Sequence, residues 1–429
     1  MSTQANRVFG LPHTFRALEN RNFRLFCAGQ SISLVGTWMQ QVAMGWLVYR
    51  LTNSALILGV VGFVGQLPMF VLTPFSGVVA DRYDRRRILI ITQIAAMLQA
   101  GVLSVLVLTN RVAVWHIVIL GLCLGIINAF DMPTRQAFTI DMIDRKQDLG
   151  NAIALNSSMV NVARLIGPTV AGIIIAAAGE GMCFLVNAMS YSGVIISLFA
   201  LDIRSIKRRP ATNNVFDDIK EGFVYAFSFA PIKAVLMLLG LVSLMGVSYQ
   251  VLMPMFARDI FHGGPKTLGF LMGMSGVGAL GGAIYLAGRK EVVGLGRMIP
   301  GAAFLFGLGL VIFSFSRVVW FAMAVMCVSG FAMIIQMAAS NTLLQTMVEE
   351  DKRGRIMSLY TMAFIGVTPF GSLLSGSLAH ALGAPRTIAI SGMCCIIGAL
   401  LFVRKLPRLQ ENLRRVHTKT DVIADVMNV

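Results

Sequence analysis

The chain has 429 residues, of which 56% are hydrophobic and 13% are charged, and its formal net charge is +16. Soluble domains contain about 25% charged residues, so this composition excludes a soluble protein and favours an integral membrane protein. The positive charge also fits nucleic-acid binding, and the positions of the basic residues decide between the two interpretations.

Twelve apolar segments follow one another along the chain, each close to or longer than the ~20 residues that a helix needs to cross a bilayer. We therefore predict an all-α membrane protein with twelve transmembrane helices. The predicted spans are 23–48, 55–79, 88–109, 113–131, 151–178, 182–201, 233–256, 267–288, 298–316, 319–341, 356–380 and 386–403.

The basic residues are concentrated on one side of these spans. All but seven of the 36 Lys and Arg residues fall in the segment before the first span, in every second loop, or after the last span. Loops rich in Lys and Arg remain in the cytoplasm, so both termini are predicted to be cytoplasmic. The distribution also argues against a nucleic-acid partner, because the charge is divided among separate loops as membrane topology requires.

The longest loop divides the spans into two sets of six. We predict a cytoplasmic N-terminal segment, a first six-helix bundle, a cytoplasmic linker with an amphipathic helix, a second six-helix bundle and a basic cytoplasmic tail. Their residues are 1–22, 23–201, 202–232, 233–404 and 405–429, and the amphipathic helix is predicted over Phe216–Phe229.

The two sets of spans also repeat. A shift of 204 residues superposes glycines and basic residues: Gly77 on Gly281, Arg85 on Arg289, Arg86 on Lys290, Gly167 on Gly371 and Gly172 on Gly376. Glycine is common here, with 42 residues, so the charged matches carry more weight than the glycine matches. The repeat predicts two pseudo-symmetric six-helix units.

The loop between the second and third spans is strongly charged and very short. It resembles the corresponding loop of the major facilitator superfamily, whose motif reads Gly-x-x-(Ala/Ser)-Asp-Arg-x-Gly-Arg-Arg. The motif positions are occupied by Gly77, Ala80, Asp81, Arg82, Arg85 and Arg86, and Asp84 replaces a glycine of the motif. The resemblance implies that this loop is a cytoplasmic gate, joined by a charged pair at the end of the fourth span, Asp131 and Arg135.

The fifth span carries a second pattern. It is similar to the Gly-x-x-x-Gly-Pro-x-x-Gly-Gly signature of antiporter-type exporters, with matches at Gly167, Pro168 and Gly172 and alanine at two other glycine positions. Physically, the proline bends the helix and the glycines allow close packing. Arg164 is the one clear charge deep inside a span, and such charges are functional candidates.

Polar residues on the cavity-lining helices complete the candidate site. The first span has glutamine, serine and threonine side chains on one face, which must avoid the acyl chains. Helix–helix hydrogen bonding explains that face as well as cavity lining does. In the superfamily, the first, fourth, seventh and tenth spans line a central cavity, which here nominates Gln30, Thr37, Gln41, Asn128, Tyr249, Gln250, Gln336 and Asn341.

The resemblance, which covers residues 16 to 404, implies a secondary exporter of the drug- and siderophore-exporter branch, located in the bacterial inner membrane. It moves small amphipathic molecules outward, with protons as the coupling ion and membrane lipids as its surroundings, and acts as a monomer. The alternatives are a lipid or lysophospholipid flippase on the same fold and a non-transporting membrane receptor or assembly protein. The retained gate charges count against the receptor.

No enzyme, cofactor or metal site is indicated. A nucleotide-binding Walker A signature and a His-Glu-x-x-His pattern are absent, and the six cysteines lie in apolar runs without metal-ligand spacing. For proton coupling, no acid falls near the middle of a predicted span. Asp131, near the end of the fourth span, is the candidate coupling acid, although a structural pair with Arg135 explains it equally well.

Overall fold

The computed structural model describes residues 13–143, 148–201, 223–289, 294–348 and 350–416, which are helical apart from short connections. A short 3₁₀-helix, His13–Glu19, precedes the long helices. The long helices in the described residues are α1 Arg21–Thr52, α2 Ala55–Arg82, α3 Arg85–Leu108, α4 Val114–Asp141, α5 Leu149–Ala178, α6 Glu180–Ala200, α7 Ala230–Ile260, α8 Pro265–Ala287, α9 Leu295–Phe315, α10 Val319–Met347, α11 350–382 and α12 Ala384–Val416.

Eleven of these helices, α2 to α12, are long and apolar enough to cross a membrane, counted over the described residues. Helix α1 has 32 residues and is long enough, but its glutamine, serine and arginine side chains make it too polar to qualify by composition. The predicted all-α membrane class is therefore confirmed, with eleven rather than twelve helices qualifying by composition.

The helices pack in two groups, α1–α6 and α7–α12. Short connections make consecutive helices run in opposite directions within each group. We call the face on which α1 begins and α12 ends the termini face, and the opposite face the distal face. The connections at 53–54, 109–113 and 261–264 lie on the distal face, whereas the connection at 83–84, the end of α4 and the start of α5 lie on the termini face.

Two of the long helices contain wide π-helical turns. Helix α7 has them at Val242–Val247 and Phe256–Ile260, and α11 has one at Met362–Gly366. A π turn shifts the face that the following residues present, and such turns are frequent at functional sites. Both helices lie where the two groups meet.

Helix boundaries differ most from prediction in α4. The span was predicted to end at 131, but α4 continues to Asp141 through Pro133. Asp131 is therefore about 15 Å from the end of its helix, at 1.5 Å per residue, instead of at the end. Asp84 is the N-cap of α3, because its carboxylate accepts hydrogen bonds from the amides of Arg86 at 2.8 Å and Arg87 at 3.3 Å.

Some sequence predictions fall outside the described residues. Lys290, the basic part of the linker and the end of the tail are among them. Of the amphipathic helix predicted over Phe216–Phe229, residues 223–229 are described, and 223–228 are helical, with the rings of Phe223 and Phe227 stacked at 5.5 Å.

Glycines allow the two groups to meet at two equivalent crossings near the distal face. A methyl group placed on Gly172 of α5 would lie 3.0 Å from the Cα of Gly269 in α8. A methyl group placed on Gly376 of α11 would lie 2.6 Å from the Cα of Gly59 in α2. Gly172 and Gly376 are the residues that the 204-residue shift superposes, so each half of the chain supplies the same contact to the other half.

Candidate functional site

A cavity of about 320 Å³ lies between the two helix groups. Helices α1, α2, α4 and α6 line it from one side, and α7, α8 and α11 line it from the other. In this cavity, residues from both halves of the fold face one another. A pocket of this size and position is the default location for a small-molecule site.

Four of the eight residues nominated from the sequence line this cavity. They are Thr37, Gln41, Asn128 and Gln250. Six further polar residues on its wall were not nominated: Gln40, Gln66, Tyr191, Ser248, Thr368 and Ser372. Helices α2, α6 and α11, which the superfamily pattern does not nominate, carry four of them, and only their packing reveals that they face the same space.

The other four nominated residues lie away from the cavity. Gln30 and Gln336 are buried inside their own helix groups, at 2% and 0% exposure. The hydroxyl of Tyr249 lies 3.0 Å from that of Ser275, within the second group. Asn341 accepts a hydrogen bond from Gln345 at 2.5 Å. Gln30 and Tyr249 lie on helices that line the cavity but on faces that turn into the bundle, whereas Gln336 and Asn341 lie on α10, from which no described residue reaches the cavity wall.

A buried network of amides fixes the cavity wall in the first group. The amide nitrogen of Gln40 donates to the Oε1 of Gln99 at 3.0 Å, and Asn187 donates to the Oε1 of Gln40 at 2.7 Å. Gln99 in turn donates to the carbonyl of Leu120 at 3.2 Å. The network ties α1, α3, α4 and α6 together, so the polar side of the cavity is held rigidly.

Polar contacts also join the groups at the distal face. The hydroxyl of Tyr49 at the end of α1 donates to the carboxylate of Asp259 in α7. Arg258 donates to the side-chain oxygen of Asn53 at 2.8 Å, and its guanidinium lies 5.9 Å from the ring centroid of Tyr49. The π turn at 256–260 presents both α7 side chains to α1. Together with the glycine crossings, these contacts close the distal side of the cavity.

On the termini face, Arg85 is the centre of the charged loop. Its guanidinium contacts Asp81 at 2.9 Å and Asp141 at 3.1 Å, and it also donates to the carbonyls of Ala80 and Ala137. Asp81 is on α2 and Asp141 is on α4, so one arginine at the start of α3 joins three helix ends. Asp141 was not predicted, and here it takes the place expected for the pair at 131 and 135.

The remaining motif residues of this loop lie around that cluster. Arg86 donates to the carbonyl of Phe199 at the end of α6, at 3.1 Å, whereas the side chain of Arg82 is exposed. A methyl group on Gly77 would meet nothing within 4 Å, so its small size is not required by this conformation.

Asp131 forms a separate buried site between α3 and α4. It is 5% exposed, and its Oδ1 accepts hydrogen bonds from the hydroxyl of Thr92 at 2.9 Å and from the amide of Gln93 at 2.8 Å. The predicted pair with Arg135 is present, with 3.7 Å between Oδ2 and Nε. Asn128, one turn away on the same helix, lines the cavity, so Asp131 is one helical turn from a residue of the cavity wall.

The motif residues of α5 contact α1 and the other helix group. A methyl group on Gly167 would lie 2.5 Å from the Cβ of Trp38, so this glycine permits the α1 contact. Helix α5 continues through Pro168 without a break. The guanidinium of Arg164, in the middle of the helix, lies 5.1 Å from the ring centroid of Trp38. Its cation is therefore held against an aromatic face.

Comparison with known proteins agrees with this geometry. Residues 13–428 match the family described as transmembrane secretion effector. The staphyloferrin A transporter of Staphylococcus aureus is 26% identical over 90% of this chain and 97% of its own length. The multidrug efflux pump Tap of Mycolicibacterium fortuitum is 25% identical over 88% of this chain and 93% of its own.

The fold is shared with solved transporters of very different sequence. A bacterial homologue of the human lysosomal transporter Spinster, solved in an inward-facing and unoccupied conformation, superposes with a TM-score of 0.72. The alignment covers 94% of this chain and 99% of that one, at 11% identity. At this identity the likeness concerns the fold alone.

Proposed function

Because the chain belongs to the transmembrane secretion effector family of the major facilitator superfamily, we propose that it is a secondary active exporter of small amphipathic molecules, driven by proton antiport. The superfamily and the drug- and siderophore-exporter branch predicted from the sequence are confirmed. The names of its relatives, a staphyloferrin A transporter and a multidrug efflux pump, support drug-like compounds or siderophores as substrates.

The observation that carries this proposal is a cavity between two six-helix bundles that is closed at the distal face. Contacts at Tyr49–Asp259, Arg258–Asn53 and the two glycine crossings form that closure. If these contacts break while the ends of the two bundles on the termini face approach each other, the cavity opens to the distal face. This exchange is alternating access, and the conformation described here corresponds to its inward-facing state.

The proposed topology has twelve spans, with α1 as the twelfth and both termini in the cytoplasm. The polar side chains of α1 support this placement, because Gln30, Ser33 and Gln40 are buried against other helices, away from lipid. The termini face is then cytoplasmic and the distal face external. We place the protein as a monomer in the bacterial inner membrane, surrounded by lipids.

Single cysteines introduced at Asp84 and at Asn110, in a background without the six native cysteines, test this topology. An impermeant maleimide added to intact cells is expected to label position 110 and to leave position 84 unlabelled until the cells are opened. Labelling of position 84 in intact cells would reverse the proposed orientation.

The Arg85 cluster is proposed as the cytoplasmic gate. We expect Asp81→Asn to preserve expression, because Arg85 keeps its contact with Asp141 and exposed ion pairs contribute only about 0–1 kcal/mol to stability. Transport is expected to fall about 5- to 150-fold, the effect of a 1–3 kcal/mol change between conformations. Asp84→Asn is the matched control, because asparagine caps a helix as well as aspartate does. Equal transport by both variants at matched protein levels removes the gating role of Asp81.

Asp131 is proposed as the coupling carboxylate. It is a buried acid beside a cation and next to the cavity wall, so a rearrangement of α3 and α4 can expose it to water from the cavity. In the conformation described here, Thr92 and Gln93 donate hydrogen bonds to its Oδ1, and the Nε of Arg135 lies 3.7 Å from its Oδ2. A rearrangement that separates Asp131 from Arg135 and opens it to the cavity would let the carboxylate exchange a proton with water there.

Efflux from cells tests the transport function as a whole. Cells that express the protein, loaded with radiolabelled siderophores, dyes or lysophospholipids, are expected to lose a drug-like compound or siderophore faster than cells without it. A protonophore is expected to abolish the difference. Efflux that persists with the protonophore contradicts antiport, and selective movement of lysophospholipid between leaflets supports the flippase alternative instead.

A further inference from the structure

We propose that the central cavity selects electrically neutral molecules that carry several amide, hydroxyl or carbonyl groups on an apolar framework. This inference rests on the proposed export function and narrows its substrate class, since amphipathic compounds of either charge would otherwise qualify. It discriminates against ionised carboxylates and ammonium ions of the same size and shape.

The first step of the argument is the composition of the cavity wall. Among the described residues that line it, none is Asp, Glu, Lys, Arg or His. Both bundles instead contribute carboxamides: Gln41, Gln66 and Asn128 from the first, and Gln250 from the second. Hydroxyl groups of Ser248, Thr368 and Ser372 add to the side formed by the second bundle.

The second step concerns the charges nearest to the wall. Asp131 is occupied by two hydrogen-bond donors and by Arg135. Arg164 lies against the indole of Trp38, and Asp259 accepts the hydroxyl proton of Tyr49 at the distal closure. None of these three groups is among the described residues that line the cavity, so none of them faces a ligand there in this conformation.

The third step is the energy of occlusion. During alternating access the ligand loses its water when both sides of the cavity are closed. For an ionised group without a counter-ion, this desolvation costs several kcal/mol. An amide or hydroxyl of the ligand instead replaces its hydrogen bonds to water with hydrogen bonds to the carboxamides of the wall. Each glutamine or asparagine offers donors and an acceptor, so the same wall accommodates ligands with different arrangements of polar groups.

The apolar part of the wall fits the rest of such a ligand. Met44 and Met272 face the cavity from opposite bundles, and aliphatic side chains such as Leu58 and Val251 fill the spaces between the amides. Methionine is flexible and polarisable, so it adapts to different frameworks. The cavity is therefore expected to select ligands by their charge and to accept ligands of different shapes.

A matched pair of fluorescent probes tests the proposal: 7-diethylaminocoumarin-3-carboxamide and the corresponding 3-carboxylic acid, which is ionised at neutral pH. They share one ring system and differ chiefly in charge. In proteoliposomes with an imposed pH gradient, the carboxamide is expected to be transported about tenfold faster or more, which corresponds to a difference of about 1.4 kcal/mol. Equal transport of the two probes, or faster transport of the carboxylate, overturns the proposal.

A charge placed in the wall provides the second readout. Gln250→Lys is expected to raise carboxylate transport and to lower carboxamide transport, because the ammonium pairs with the carboxylate. Gln345→Lys adds the same charge on an exposed position outside the cavity and is expected to leave the preference unchanged. If Gln250→Lys brings no gain for the carboxylate, the cavity assignment is wrong.

The transport experiments distinguish failure of the neutral-substrate proposal from failure of the proposed export function. If neither coumarin is transported but another drug-like compound follows the pH gradient, the neutral-substrate proposal is overturned and the exporter stands. If no compound in the efflux set responds to the gradient, both are overturned.

Discussion

Gly376→Val is expected to reduce export by about 5- to 150-fold while the protein still reaches the membrane. A methyl group at this position would lie 2.6 Å from the Cα of Gly59 and 2.7 Å from the carbonyl oxygen of Ala55. Both are backbone atoms that cannot rotate away, and overpacking of this kind costs about 1–3 kcal/mol. The added side chain destabilises the conformation in which the distal face is closed, so the conformational equilibrium shifts toward the outward-facing state.

Accessibility of the cavity distinguishes this effect from simple misfolding. A cysteine at Val48, which lines the cavity, is expected to be labelled from outside much faster in Gly376→Val than in the unmodified background. Gly172→Val, at the equivalent crossing, is expected to behave in the same way. Gly101→Val is the control, because nothing lies within 4 Å of the added methyl group. Normal export by Gly376→Val would show that the α2–α11 crossing does not close the distal face.

Asp131→Asn is expected to abolish the movement of protons that accompanies export. Asparagine retains an oxygen that can accept from Thr92 or Gln93, so the helix contact is largely preserved. It cannot bind and release a proton, so a pH gradient no longer drives substrate. The amide also removes the ion pair with Arg135. We expect the variant to move substrate down the substrate's own concentration gradient without any accompanying proton flux.

The gate variant is the matched control for this prediction. Asp81→Asn is expected to lower the rate of export and to leave the ratio of protons to substrate unchanged, because Asp81 belongs to the Arg85 cluster on the termini face. Asp131→Asn is expected to alter the ratio itself. If Asp131→Asn exchanges protons for substrate at the wild-type ratio, the coupling group is elsewhere.

Fold class and loop motifs could be predicted from the sequence because they depend on local composition. Long apolar runs specify membrane-crossing helices, and Asp84 specifies the start of α3 through its own side chain. The end of α4 was less predictable, because the residues after Asp131 are too polar to look like a span. The helix continues to Asp141 nevertheless, and that error moved Asp131 from an interior position to a helix end.

The composition of the candidate site depended on three-dimensional packing. Gln41 and Gln250 were identified because their helices line the cavity in related transporters. Gln336 and Tyr249 were nominated by the same reasoning, but their faces turn into the second bundle. The direction of α7 side chains depends on its π turns, which no local sequence pattern indicates.

Contacts between distant residues were also beyond prediction from one sequence. Tyr49 and Asp259 are 210 positions apart, and Arg85 and Asp141 are 56 apart. Each of these residues is ordinary in its local context, as a tyrosine, an aspartate or an arginine near a helix end. Only the arrangement of the helices makes them a distal closure and a termini-face cluster.

Proton-coupled flux in proteoliposomes tests the central claim most directly. The purified full-length chain is reconstituted with a pH-sensitive dye inside the vesicles, and a transported compound identified by the efflux experiment is added outside without any imposed gradient. Antiport predicts that substrate entry is accompanied by an immediate proton efflux that scales with substrate flux and is lost in Asp131→Asn. Substrate entry without any pH change in the wild-type protein would contradict proton antiport.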